Sequence, residues 1–158
     1  MQTAANGSEP FILFELAGAT YALRSRDIQQ LEMLTPITPV PNAPPFVDGL
    51  VSVRGQVIPV LNLRARFGFP RVDPTVRTRL LIVGSGGRTV GMVVDSAREF
   101  ATIADDAIQP PPEGISELSG RYLAGMAQLN DRLVLVLDVA ELLQTDDAAP
   151  TNTAPELA

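Results

Sequence analysis

The chain contains no cysteine, histidine, tryptophan or lysine, and all twelve of its basic residues are arginine. Without thiol or imidazole it can form no disulfide, thiolate nucleophile, serine–histidine–aspartate triad, phosphohistidine or ordinary zinc site. Without an ammonium, a P-loop nucleotidase, a kinase catalytic core and a Schiff-base enzyme are excluded, because each needs lysine at a fixed place. Aromatic residues make up only 5% of the chain, and the formal net charge is −6. The arginines are scattered, with Arg64 and Arg66, and Arg77 and Arg79, the densest pairs. A nucleic-acid partner would require basic stripes interleaved with aromatic platforms, and neither is present. No apolar run approaches the roughly 20 residues that span a bilayer. Residues 1–10 have neither the basic nor the apolar region of a secretory signal. The expected location is therefore the cytoplasm. Carboxylate chemistry alone passes this filter, as a paired-acid or magnesium-dependent hydrolase on a small barrel. Its candidates are Asp95, Asp131, Asp138 and Glu141, and their spacing points to no common site. Asp95 reads more simply as the end of a strand, Asp138 as a helix cap and Asp105-Asp106 as a solvated turn.

What is present is a repeat. At 158 residues and 46% apolar, the chain can bury a core as one domain or as two very small intimate ones. Gly49 to Leu63 reads as strand, two-residue turn, strand and the start of a helix. Gly125 to Val139, 76 residues further on, lies over it without a gap. Gly49 meets Gly125, Val60 meets Val136 and Leu61 meets Leu137. The turns differ: the first copy uses Arg54-Gly55 and the second Asn130-Asp131. A second echo has an offset of 69 residues, from Phe11–Leu23 with its Ala17-Gly18-Ala19 hairpin to Leu80–Met92 with its Gly84–Gly87 turn. Each half thus has an opening and a closing hairpin with a variable stretch between them, which implies two similar subdomains.

The variable stretches are punctuated. Ile28–Leu34 and Glu99–Ile103 read as strands. Pro36, Pro39, Pro41 and Pro44-Pro45 forbid a helix after the first, and Pro110-Pro111-Pro112 stiffens the chain after the second. Phe46-Val47-Asp48 reads as a short turn. Asn62 and Asp138 precede the short helical runs Leu63–Phe67 and Val139–Leu143, and each is a strong N-cap residue. Residues 1–10 and 145–158 read as disordered tails, which leaves residues 11–144 as the folded part. The fold class expected is all-β: about ten short strands forming two pseudo-symmetric five-stranded β-barrels, interleaved and packed side by side. Closure into barrels removes the exposed edges that an open ten-strand sheet would leave.

The stretch Gly49-Leu-Val-Ser-Val-Arg54-Gly55-Gln-Val-Ile-Pro-Val-Leu-Asn-Leu-Arg64 resembles the signature of the CheW family, adaptor proteins of bacterial chemosensory arrays. Ile37–Pro41 before it, and Gly91–Ser96, Ile108–Pro112 and Tyr122–Gly125 after it, continue the resemblance, which covers residues 11–143. The resemblance implies two five-stranded barrels sharing an apolar interface. It implies a non-enzymatic coupler with no cofactor, metal or catalytic residue. Such a coupler would join the cytoplasmic tip of methyl-accepting chemoreceptors to the regulatory domain of a CheA-type histidine kinase. It would reach the membrane only through receptor arrays, without inserting, and would bind no nucleic acid. A scaffold that competes with the main adaptor and weakens kinase coupling would use the same surfaces. Two positions depart from the family pattern. Met33 stands where glutamate is usual, an adaptable apolar contact in place of a charged one. Asn62 replaces the customary aspartate, keeping the cap and losing the charge. These departures fit an adaptor of an alternative pathway, for instance one governing pili or surface sensing.

The residues expected to face the receptor are Arg54, Gly55 and Val53, with Gly49 supporting them from beneath. Positive φ explains Gly55 but not Arg54, since the second copy turns on Asn130-Asp131. Arginine offers a planar fork of donors suited to a carboxylate and is enriched at binding hot spots. Leu31, Met33 and Leu34 are the candidates for the kinase contact. Strand alternation sends some of them to the core whatever the function, so both readings stand at these positions.

Overall fold

A computed structural model describes residues 7–112 and 122–144. It contains ten strands: β1 (Ser8–Leu16), β2 (Ala19–Arg24), β3 (Ile28–Met33), β4 (Val47–Val53), β5 (Gln56–Asn62), β6 (Arg79–Ser85), β7 (Arg88–Val94), β8 (Ser96–Ala104), β9 (Leu123–Leu129) and β10 (Arg132–Leu137). Two one-turn helices, α1 (Leu63–Arg66) and α2 (Val139–Leu142), follow β5 and β10. The strands form two five-stranded sheets, ordered β8-β1-β2-β10-β9 and β3-β6-β7-β5-β4. Replacing each strand of one half by its counterpart in the other turns the first order into the second. Each sheet therefore joins the opening hairpin of one half to the closing hairpin of the other. The junctions are the parallel pairs β2–β10 (Thr20 opposite Val134) and β5–β7 (Val60 opposite Gly91).

The apolar runs place three cores. Phe11 and Leu13 of β1 join Ala22, Ile103, Ala127, Val134 and Val136 in one cluster to which all five strands of the first sheet contribute. Its edge strands β8 and β9 line the same core, so the sheet curls into a barrel. Leu80 and Ile82 of β6 join Val51, Val53, Ile58 and Val60 inside the second barrel. The alternate residues Phe14 and Leu16, and Leu81 and Val83, face a third and larger layer between the barrels. Both faces of β1 and β6 are thus buried, which is why these strands read as unbroken apolar runs instead of alternating ones. Each fully buried Leu, Ile or Phe contributes about 1.5–3 kcal/mol, so the shared layer makes the two barrels one unit. Leu63 of α1 and Val139, Leu142 and Leu143 around α2 close that layer.

Polar ties reinforce it. The Asn62 side chain accepts a hydrogen bond from Ala65 N–H, and the Asp138 side chain accepts one from Glu141 N–H, so both caps form. Arg64 grips Asp95 through Nε (3.0 Å) and Nη2 (2.8 Å), while Ala17 N–H in the β1–β2 turn donates to the same carboxylate at 2.9 Å. Asp95 thereby pins one barrel to the other. Burial pushes its carboxyl up, but the hydrogen bonds from Arg64 and Ala17 outweigh that and leave it below the ordinary 3.8. Arg66, buried, lies 4.1 Å over the Phe46 ring and donates from Nη2 to the carbonyls of Leu142 and Gln144 at the end of α2.

Several boundaries differ from the sequence expectation, among them the start of β8 at Ser96 and not at Glu99. β1 begins at Ser8, within the segment read as a tail, because Ser8–Pro10 pair with Thr102–Ala104 of β8. Glu9 there accepts from Arg24 at 2.7 Å. Pairing with β2 starts only at Phe11, so Pro10 sits on a one-sided stretch that tolerates it. Phe46-Val47-Asp48 is not a separate turn: Val47 already pairs with Leu61 at the start of β4. The expectation for residues 145–158 lies outside the described residues.

Candidate functional site

β4 and β5 are joined by a turn in which Arg54 has φ +51° and Gly55 φ +82°. This is the turn geometry that follows the twist of a hairpin, and it places both central residues in the left-handed region. Asn130 (φ +51°) and Asp131 (φ +67°) turn the same way between β9 and β10. Asn and Asp tolerate that conformation, whereas an arginine there costs about 1 kcal/mol or more. The Arg54 side chain reaches strand β3. Its Nε donates to Gln30 Oε1 at 3.0 Å and to Glu32 Oε2 at 3.2 Å. Both contacts use Nε, on a side chain that is 71% exposed.

β3 and β4 are the two edges of their sheet, and the Arg54 bridge spans the seam between them. Along β3, Gln30 and Glu32 are half-buried and turned to that seam, while Leu31 and Met33 alternate to the outer face. Met33 is 63% exposed. The outer face of the hairpin is apolar as well: Leu50 lies opposite Pro59, and Val57, 65% exposed, lies opposite Ser52. In the other barrel the corresponding seam is tied by Arg132 Nη2 to Glu99 at 3.0 Å, from the start of β10 to β8.

The arrangement is a guanidinium fork flanked by exposed aliphatic side chains on two edge strands. It is a surface suited to recognition. A family model described as CheW-like domain matches residues 10–147. The chain belongs to the CheW family. The chemotaxis protein CheW of Helicobacter pylori is 35% identical over 138 residues, covering 86% of this chain and 82% of that one. Protein FrzA of Myxococcus xanthus is 31% identical over 146 residues, with 89% of each chain covered. Among solved structures, the scaffolding protein TtCheW from Thermoanaerobacter tengcongensis superposes with a TM-score of 0.81 at 27% identity, covering 89% of this chain and 95% of that one. This CheW-family chain is accordingly a scaffold of chemotaxis signalling and not an enzyme. Among the described residues, no helix is long and apolar enough to cross a membrane.

The residues singled out in this CheW chain fall into distinct places. Val53 is buried in the core of the second barrel, beneath the turn and not on its surface. Gly55 sits at the tip, where a Cβ would meet nothing, so only its φ requires glycine. Gly49 (φ +142°) is packed so closely that a Cβ would lie 2.0 Å from Thr38 O. Its counterpart Gly125 meets Gln109 O at 2.7 Å in the same way. Each glycine thus admits a bridge to its edge, Thr38 to Leu50 and Gln109 to Met126. Leu34 lies beyond β3 and packs inward on the barrel core, leaving Leu31 and Met33 as the outward pair.

Other features escape single-position reading. Gln30 and Glu32 become visible as partners of Arg54 only once the barrel closes. Phe100 on β8, 63% exposed, is the counterpart of Leu31. Phe100 lies opposite Ile12 and Leu31 opposite Leu81, and the offset of 69 that relates Phe11 to Leu80 relates both of these pairs too. The Asn62 departure has a structural reason, since its Nδ2 donates to Asp48 Oδ2 at 3.0 Å. Asp48 in turn receives Arg71 Nη2 at 2.9 Å. The acids considered for hydrolysis do not converge: Asp95 is held by Arg64 and Asp138 caps α2, and no three such residues among those described could hold a metal. An apolar groove of about 400 Å³, lined by Tyr21, Phe67, Phe69, Met126, Leu133 and Leu135 among others, lies on the β9–β10 face away from Arg54.

Proposed function

We propose that this CheW-family scaffold acts in the cytoplasm as the coupler between chemoreceptor tips and the regulatory domain of a CheA-type histidine kinase. Arg54 is the receptor-facing residue. The observation that carries this assignment is its place at a strained turn position with a side chain 71% exposed, where the equivalent turn uses the strain-tolerant Asn130. A guanidinium so displayed suits a carboxylate on the receptor's helical tip. Leu31 and Met33, on the outer face of an edge strand, are the kinase-facing pair, and they suit an apolar strip on a partner barrel. Met33 in place of the family's usual glutamate directs the chain to a kinase that offers an apolar patch there, which is the basis for placing it in an alternative pathway such as pili control or surface sensing.

The test is calorimetric titration of the full chain with a soluble receptor-tip fragment and, separately, with the kinase regulatory domain. Arg54→Ala should cost about 1–3 kcal/mol of receptor binding and leave kinase binding intact, while Met33→Glu should do the reverse. A folded Arg54→Ala variant that binds receptor normally refutes the assignment. Receptor binding without any kinase binding would make the chain a competing scaffold instead of a coupler.

A further inference from the structure

We infer that the apolar groove between β9–β10 and the segment after α1 is a binding site for a small, uncharged, largely apolar molecule that accepts a hydrogen bond from the Tyr21 hydroxyl. The site lies on the face away from Arg54 and does not depend on the coupler reading. Three observations carry it. The first is the hydroxyl itself. Tyr21 is only 6% exposed, and among the described residues its hydroxyl has no hydrogen-bond partner. Nor is that oxygen sealed in the core: Tyr21 lines the groove, and the hydroxyl opens into it. A buried tyrosine ordinarily pairs its hydroxyl, because one left unmet is costly. Burial raises the Tyr21 pKa above the ordinary 10.0, so at neutral pH the group is a phenol with a proton to donate.

The second is that the packing has no use for this hydroxyl. The Tyr21 ring stacks on Phe14 with centroids 5.8 Å apart and meets Phe67 at 5.8 Å, contacts that a phenylalanine would make equally well. The duplicated half manages without a phenol. The offset of 69 puts Val90 at the place of Tyr21. Phe46 stands at the place of Tyr122, since Asn62 N–H donates to Phe46 O just as Asp138 N–H donates to Tyr122 O. The Arg66 guanidinium covers the Phe46 ring, whereas in the first half Phe67 leans on Tyr122 with ring centroids 5.4 Å apart. The fold thus asks for apolar bulk at these places, and the hydroxyl of residue 21 is additional to it.

The third is the size and chemistry of the groove. Its volume of about 400 Å³ lies in the range of small-molecule pockets. Phe67, which follows α1 of the second barrel, lines it together with Met126 and Leu135 of the first, so a ligand there touches both barrels. Leu133, 48% exposed, and Phe69 give it open apolar flanks. The described lining carries no charge. An ionised ligand would lose its hydration with no countercharge to replace it, which selects neutral molecules. An apolar body for the aromatic and aliphatic walls and one oxygen acceptor for Tyr21 define the class, of which aryl ketones are simple members.

The test is a titration of the full chain with acetophenone, followed through the methyl resonances of Met126, Leu133 and Leu135. These signals should shift together and saturate at about millimolar concentration, as suits a ligand of this size. Tyr21→Phe should weaken acetophenone binding roughly three- to tenfold, the worth of one hydrogen bond, and leave toluene, which has the ring and no acceptor, within about twofold. Benzoate should bind at least about tenfold more weakly than acetophenone. Leu133→Trp, at a half-exposed position, should fill the groove and abolish the shifts. A second readout needs no ligand: because the hydroxyl has no partner in the fold, Tyr21→Phe should be as resistant to urea as the parent, or more so. The inference is overturned if acetophenone at about 10 mM leaves these methyls unmoved, if Tyr21→Phe binds it as the parent does, if Leu133→Trp still binds it, or if benzoate binds equally well. It is overturned also if Tyr21→Phe is destabilised, since the hydroxyl would then serve the fold. A response of the groove methyls to the kinase regulatory domain and none to acetophenone overturns it as well, and makes the groove a protein-docking face.

Discussion

Replacing Gly49 by alanine should be among the most damaging single-methyl changes available in this molecule. The Cβ would lie 2.0 Å from Thr38 O, 2.7 Å from Thr38 C and 3.0 Å from Pro39 Cα, and all three are backbone atoms that cannot rotate away. The residue also sits at φ +142°, where an L side chain is strained by about 1–2 kcal/mol in any surroundings. Relief requires the 36–41 segment to lift from β4, which breaks the paired bonds Thr38 N–H to Leu50 O and Leu50 N–H to Thr38 O, each 2.8 Å. Two backbone hydrogen bonds at about 1 kcal/mol each, added to the strain, give a loss of about 3–4 kcal/mol. Two sister variants calibrate the figure. Gly125→Ala meets Gln109 O at 2.7 Å and Ile108 Cγ2 at 2.6 Å without positive φ. The isoleucine can turn aside, so about 2 kcal/mol is expected. Gly55→Ala, at φ +82° with open space around it, should cost only about 1 kcal/mol. Urea unfolding of the three variants followed by far-UV circular dichroism reads the order directly. A Gly49→Ala variant no less stable than Gly55→Ala would refute the close packing of the bridge, and with it the account of why both halves carry glycine there.

The Asp95 clamp should show in acid. Its carboxyl is held below the ordinary value, so its contribution is complete above the ordinary carboxyl range and is lost as pH falls through the lowered folded-state value. Asp95→Asn should cost about 1–3 kcal/mol at neutral pH and flatten the acid limb of a stability–pH profile; an unchanged limb would assign acid sensitivity elsewhere. Arg66→Met keeps much of the volume over Phe46 and loses the donors to Leu142 O and Gln144 O. It should cost about 2–4 kcal/mol and raise hydrogen exchange first in α2, whereas uniform exchange would deny the local tie. Asn62→Asp should retain the cap yet set two carboxylates at the 3.0 Å now spanned by Nδ2 and Asp48. That variant should lose about 1–2 kcal/mol at pH 7, regain stability as pH falls towards about 5 and be rescued by Asp48→Asn.

The ten strands, their boundaries to within a few residues and the duplication were legible because each rests on local chemistry. Alternation, turn pairs and cap residues are properties of neighbours in the chain. Which hairpin pairs with which was not. The pairing of β2 with β10, and of β5 with β7, joins segments far apart in sequence, and each match is an apolar strand against an apolar strand with no distinguishing residue. The same limit explains Leu34, whose alternation with Leu31 and Met33 could not say which side of β3 faces the barrel. Residues 1–10 read as a tail, yet Ser8–Pro10 pair with β8 on one side only, an edge stretch in which proline is tolerated.

At the site, the sequence pointed to Arg54 by comparison of the two turns, and its anchors were missed because they come from another strand. The Asn62 departure teaches the same lesson from the opposite direction. Taken alone it is a lost charge at a position where the family has one, and it suggests an altered partner. Beside Asp48 it is the residue that keeps a helix cap while offering a donor to the neighbouring carboxylate, which Arg71 approaches from the other side. A departure that completes a local network is accounted for by the fold and carries no information about binding. Met33 has no such network: its side chain stands 63% exposed on an edge strand. Under the proposed coupler role, therefore, Met33 and not residue 62 is the departure to vary when kinase binding is tested.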